Sequence, residues 1–171
     1  MHRFILLFVM VSTVGVCQAQ MAQELTEEPI SKEAKHAVGL SAGITTGVGI
    51  SYRYWPKKLG IQLTAAPIFT SESTFASGGA TFLLKLKEND WSNFFGYWGN
   101  HFLFTQDQNF DFYGNPYLYR TSDYYLGLGG GLEFLLDENL SFSFMAGFAG
   151  VNLLTTPGFS LTAEASFFYR F

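Results

Sequence analysis

The sequence predicts an all-β fold, an eight-stranded antiparallel up-and-down transmembrane β-barrel. Three observations predict it. Charged residues make up only 14% of the 171 positions and aromatics 18%, with 19 Phe and 9 Tyr, whereas a typical soluble domain carries about 25% charged residues. From His36 onward apolar and small polar residues alternate with a period of two, the mark of strands with two unlike faces. No internal apolar run reaches the roughly 18 residues of a spanning helix. A chain that must satisfy its backbone inside hydrocarbon then has the closed barrel as its remaining solution.

The first residues read as an export signal over 1–19. His2 and Arg3 form a short basic region, 4–16 is apolar, and Cys17-Gln18-Ala19 offers a small-residue cleavage site. Cys17 is the only cysteine. Val16 before it is bulkier than a lipoprotein signal prefers, so cleavage after Ala19 is the expectation, leaving no thiol in the mature chain. Loss of Arg3 leaves 9 basic against 14 acidic residues, a net charge of −5. That balance argues against nucleic acid as a partner. Residues 20–35 are polar and charged, with Pro29 among them, and are read as a flexible periplasmic lead-in. The barrel then occupies 36–171.

The first strand is expected at 37–45, with Val38, Leu40, Ala42 and Ile44 opposite Gly39, Ser41, Gly43 and Thr45. The second, 48–55, sets Val48, Ile50, Tyr52 and Tyr54 against Gly49, Ser51 and Arg53, and Pro56-Lys57-Lys58 turns the chain. The third, 59–69, alternates through Ile61, Leu63 and Ala65; Pro67 weakens its far end because it cannot donate to a ladder. A polar loop at 70–78 leads to the fourth strand, 79–87, where Thr81, Leu83 and Lys85 oppose Ala80, Phe82, Leu84 and Leu86. After a turn at 88–93, the fifth strand, 94–104, is the least regular, with aromatics on both faces and Asn100-His101 interrupting it.

Residues 105–122 form the longest expected loop, rich in Tyr, Asp and Asn. The sixth strand, 123–136, sets Leu126, Leu128, Leu132 and Phe134 against Gly127, Gly129, Gly131 and Glu133. The glycines resemble a phosphate cradle only superficially, since no helix or Lys follows; close packing or bending explains them better. The seventh strand, 140–150, and the eighth, 159–171, alternate throughout. Their lengths bracket the roughly 9–11 residues that cross a bilayer at a tilt. Three of the four connections after odd-numbered strands are long and those after even-numbered strands are short, as in outer-membrane barrels; Thr46-Gly47, after the first strand, departs from this by being short.

The content of the two faces decides which one meets lipid. The apolar face carries almost no charge, while the other is mostly Gly, Ser, Thr and Ala, which suits the crowded interior of eight strands. A soluble lipocalin-like barrel would invert this. Tyr52, Tyr54, Trp55, Trp91, Trp98, Tyr124 and Tyr169 are expected to form interfacial aromatic girdles.

The inward face holds Arg53, Lys85, Glu133, Glu164 and Arg170. Charges removed from water must be paired or solvated, so a plug of ion pairs is expected there; a narrow gated pore or a proton site is the functional alternative. A lipid-modifying enzyme would need a His with a Ser and an acid. The mature chain offers only His36 and His101, without a Ser two residues after His101, so no catalytic residues are assigned, although groups on other strands could converge. Two distant His and no Cys assign no metal site, and no cofactor is expected. In the long loop, Phe110, Phe112, Tyr113, Tyr117 and Tyr119 supply rigid contact area suited to an extracellular ligand; the plainer reading is a loop that extends the strands and folds over the barrel mouth.

The export signal, the eight alternating strands and the run Ala165-Ser166-Phe167-Phe168-Tyr169-Arg170-Phe171 together resemble bacterial outer-membrane barrels, nearest in shape to the small OmpA/OmpX-type superfamily. The resemblance covers 36–171 as a pattern and is specific to the class, not to one member. It implies a location in the outer-membrane bilayer and delivery by the barrel-assembly machinery, with Phe167, Tyr169 and Phe171 as the assembly signal. It implies no activity.

Overall fold

The computed structural model describes residues 34–70, 73–110, 113 and 116–171. The expected export signal, the lead-in up to residue 33 and Phe112 lie outside the described residues, as does the side chain of Phe110. Eight strands run in chain order: β1 (His36–Gly43), β2 (Gly47–Tyr54), β3 (Leu59–Phe69), β4 (Ser73–Asn89), β5 (Ser92–Phe110), β6 (Pro116–Leu135), β7 (Leu140–Val151) and β8 (Gly158–Arg170). Each pairs antiparallel with its neighbours, and β8 returns to β1 to close the ring. The expected eight-stranded up-and-down barrel is the observed fold. Closure removes the free edges that a sheet of this length would otherwise expose.

Register is set by the faces. Leu40 lies opposite Ile50 on one side and Phe167 on the other, and all three point outward. A slip of one residue would drive them into the lumen and expel the small polar set. The outer surface is accordingly apolar: Leu40, Ile50, Leu128 and Leu161 are 64%, 67%, 64% and 72% exposed. The inner face carries Ser41, Ser51, Thr64, Thr81, Ser143 and Ser166, all buried. Among them sits a compact apolar layer of Leu83, Phe95, Tyr97 and Met145, with Trp55 packed against it.

Three strands differ from expectation. β4, β5 and β6 are 17, 19 and 20 residues long, because most of the polar segments at 70–78 and 105–122 continue the ladder. Phe69 still pairs Thr74, and Phe110 still pairs Pro116. Where water wets both faces the hydropathy alternation disappears, yet the hydrogen-bonded ladder does not need it. The irregular β5 also resolves. Asn93, Phe95, Tyr97 and His101 point inward, while Phe94, Trp98, Asn100 and Phe102 point outward. Asn100 is satisfied on the outer surface by the Tyr124 hydroxyl, which donates to its Oδ1 at 2.6 Å. Between β4 and β5 the turn contracts to Asp90-Trp91, and a bulge at Leu86 shifts the register.

Candidate functional site

The ring has a turn end, with the connections at 55–58, 90–91 and 136–139, and a loop end, with those at 44–46 and 152–157 and the β5–β6 extension. The polar lumen has a different construction at each.

Near the turn end, Arg53 projects inward from β2 and is 2% exposed. Its Nη1 donates to Glu133 Oε1 at 3.0 Å, completing an ion pair with β6 across the lumen. Its Nε and Nη2 donate to Gln62 Oε1 at 3.1 and 2.8 Å, and Nη2 also reaches Ser143 Oγ at 3.1 Å. Glu133 in turn accepts from Asn93 Nδ2 and Ser141 Oγ, both at 2.9 Å. The guanidinium lies 4.1 Å from the Phe168 ring centre. A buried pair of this kind persists because its remaining donors and lone pairs are also satisfied. Arg170 is buried on the same face. Lys85 lies at the margin, 3.2 Å from Glu88 Oε2 and 5.3 Å from the Trp55 ring centre.

Trp55 is a correction. Instead of joining an outer girdle it turns inward under the apolar layer, edge-on to Phe95 at 5.3 Å. Gly60 makes the room, since a Cβ there would come within 2.6 Å of the indole. Trp98 also departs from the girdle: it sits within the wall opposite Phe82 and Leu128. Tyr52, Tyr54, Trp91 and Tyr169 are exposed near the turn end.

Toward the loop end the lumen is filled by backbone. The short β1–β2 turn folds inward, and Thr45 and Thr46 are both 0% exposed. Glu164 of β8 receives it. Its Oε1 accepts from the Thr45 amide at 3.2 Å and from the Thr45 hydroxyl, and its Oε2 accepts from the Thr46 amide at 3.1 Å. Thr162 Oγ1 adds a further bond at 3.0 Å. Against β4 and β5, the Val48 amide donates to Ser77 Oγ at 3.0 Å, and Ser77 Oγ lies 2.9 Å from His101 Nε2. His101 Nδ1 lies 2.7 Å from the Ile44 carbonyl oxygen. A carbonyl can only accept, so Nδ1 carries the proton. A neutral imidazole then accepts from the Ser77 hydroxyl through Nε2.

Sequence reasoning missed this assembly. Ser77 and His101 are 24 positions apart and lie in the predicted loop and the irregular strand. A signal was present in inward glycines on three successive strands, Gly99 and Gly127 in register and Gly79 opposite His101. A Cβ on Gly79 would overlap the Thr46 carbonyl oxygen, on Gly99 it would lie 2.7 Å from the Thr45 carbonyl oxygen, and on Gly127 it would lie 2.5 Å from Thr45 Cγ2. The loop aromatics Tyr113, Tyr117 and Tyr119 are exposed on the β5–β6 extension. Among the described residues no group of His, Cys, Asp and Glu could hold a metal ion.

No protein-family pattern matches the chain, and no curated protein matches it significantly. Among solved structures it is similar to the N-terminal β-barrel domain of Pseudomonas aeruginosa OprF, at 13% identity over 78% of this chain and 95% of that one, with a TM-score of 0.43. It is also similar to Neisserial surface protein A, at 14% identity over 80% and 94% of the two chains, TM-score 0.45. A third is the attachment invasion locus protein Ail of Yersinia pestis, solved with the heparin analogue sucrose octasulfate, at 18% identity over 80% and 96%, TM-score 0.45. Likenesses this distant transfer no ligand and no activity.

Proposed function

We propose that the chain is a bacterial outer-membrane β-barrel, exported through a cleaved signal peptide, with a non-catalytic role in envelope structure or in surface contact through its loop end. The observation that carries the membrane reading is the outer surface. Leu40, Ile50, Leu63, Phe82, Leu128, Phe148 and Leu161 are all at least 49% exposed and form a belt around a closed ring. Soluble monomers rarely leave more than a few hundred Å² of contiguous apolar surface in water, whereas lipid requires such a belt.

In this reading the turn end faces the periplasm and the loop end faces outward. The β5–β6 extension then presents Tyr113, Tyr117, Leu118 and Tyr119 to the exterior, a rigid aromatic surface suited to a macromolecular ligand. Phe167, Tyr169 and Phe171 lie on the outward face of the closing strand region and serve as the signal read by the barrel-assembly machinery. In this reading Arg53 and Glu133, paired in the lumen, and Glu164, which holds the inward turn, are filling.

Two measurements test this. Outer-membrane fractions should contain the protein as a band that migrates faster unboiled than boiled; recovery in the soluble periplasm would overturn the membrane reading. An epitope inserted between Gly114 and Asn115 should be reached by antibody on intact cells, and one between Lys57 and Lys58 should not. The Ser77–His101 contact favours a second reading, a lipid-modifying enzyme. Its imidazole is oriented by a backbone carbonyl and both groups are buried against the turn, so the contact is better used to hold that turn. Unchanged lipid A masses with and without the protein would dismiss the enzyme.

A further inference from the structure

The β1–β2 turn folds into the lumen as main chain, with two successive residues, Thr45 and Thr46, fully buried. Residues 44–46 belong to no strand, and the ring closes through β1–β2 and β1–β8 pairs that do not involve them. Unseating the turn therefore leaves the barrel wall intact. The turn's attachments are polar. Glu164 holds the Thr45 and Thr46 amides from one side, while Ser77 and His101 hold the Val48 amide and the Ile44 carbonyl from the other. At one position on each of β4, β5 and β6 the residue packed against it is a glycine, which contributes little apolar contact. Water can satisfy each of the turn's released groups, so its release costs far less than dismantling an apolar core.

We propose that the β1–β2 turn is a releasable plug closing the loop-end half of the lumen, and that the Glu164 carboxylate is its anchor. Gly79, Gly99 and Gly127 are the socket, and Ser77 with His101 is the second, weaker clasp. The Arg53–Glu133 network beneath is a separate closure that stays shut when the plug leaves.

The test is the reactivity of a thiol placed on the plug. Thr46 is the position to use, because its Oγ1 makes no hydrogen bond among the described residues, so Thr46→Cys removes none. In a Cys17→Ser background, the full-length protein folded in detergent micelles is treated with a bulky, charged maleimide. Thr46→Cys should react at least about tenfold more slowly than Tyr113→Cys on the exposed extension, as expected for a group reached only through local opening. Adding Glu164→Ala should bring the Thr46→Cys rate close to the Tyr113→Cys rate while the heat-dependent gel shift persists. Should Glu164→Ala fail to fold, Gly79→Ala crowds the socket without touching the anchor and should accelerate labelling in the same way. Rapid labelling of Thr46→Cys in the otherwise unaltered barrel would mean that the turn is not seated. Labelling that stays slow in the folded Glu164→Ala and Gly79→Ala variants would mean that it is not releasable through this anchor. Either result overturns the proposal.

Discussion

The two ends of the lumen are filled by opposite means. At the turn end, side chains do the filling. Arg53, Glu133, Gln62 and Asn93 form a hydrogen-bonded polar network beside Phe168, Phe95 and Met145. At the loop end, main chain fills the space, and the walls are reduced to glycine so that a turn fits between them. The difference shows that an eight-stranded barrel closes equally well with large side chains on full-length strands or with a shortened hairpin folded inward. It also explains why β1 and β2 are 8 residues each, far shorter than β4 to β6.

If that contrast holds, damage at the two ends should differ in kind and in size. The largest effect belongs to the turn end. Glu133→Ala strands a buried guanidinium and should cost about 3–5 kcal/mol in urea unfolding from micelles. The double variant Arg53→Met with Glu133→Leu removes both charges and should recover most of that loss, because an apolar pair of similar volume is often neutral. Recovery of less than half would mean that the network supplies more than mutual neutralisation.

The loop end should be more forgiving. Glu164→Ala is expected to cost about 1–3 kcal/mol, since the amides it abandons can reach water once the turn leaves. A cost matching that of Glu133→Ala would erase the contrast between the ends. Gly127→Ala inserts a methyl against Thr45 and should cost about 1–3 kcal/mol by overpacking. Gly78→Ala, where a Cβ meets nothing within 4 Å, should be neutral or slightly stabilising, within about 1 kcal/mol. Equal losses at Gly127 and Gly78 would show that backbone freedom, not the plug, is why glycine stands there. The smallest effect is expected at the rim, where Glu88→Gln breaks a partly exposed pair with Lys85 and should change stability by less than about 0.5 kcal/mol.

The contrast also explains what could be read from the sequence. Alternation was enough to assign Leu40, Ile50 and Phe167 to one surface and Ser41, Arg53 and Glu133 to the other, because an apolar outer wall and a crowded polar lumen impose opposite chemistries on successive residues. It failed for Trp55, whose inward turn depends on the absence of a Cβ at Gly60 on the next strand. It failed again for the lengths of β4 to β6, because water on both sides of the extension leaves no hydropathy to alternate. The plug was the least legible part. Its partners, Ser77, His101 and Glu164, come from three strands distant in the chain, and its socket is recorded only as missing side chains. The short first connection was visible, but its inward fold was not.

The central claim is that the apolar face meets lipid and the other face encloses a filled lumen. Fluorescence from single-tryptophan variants in vesicles carrying brominated acyl chains tests it most directly. Trp98, on the outer wall at 41% exposure, should be strongly quenched when Trp55 and Trp91 are replaced by Phe. Trp55, packed inside against Phe95, should be quenched far less when Trp91 and Trp98 are replaced. Stronger quenching of Trp55 than of Trp98, or no quenching of Trp98 at all, would contradict the account.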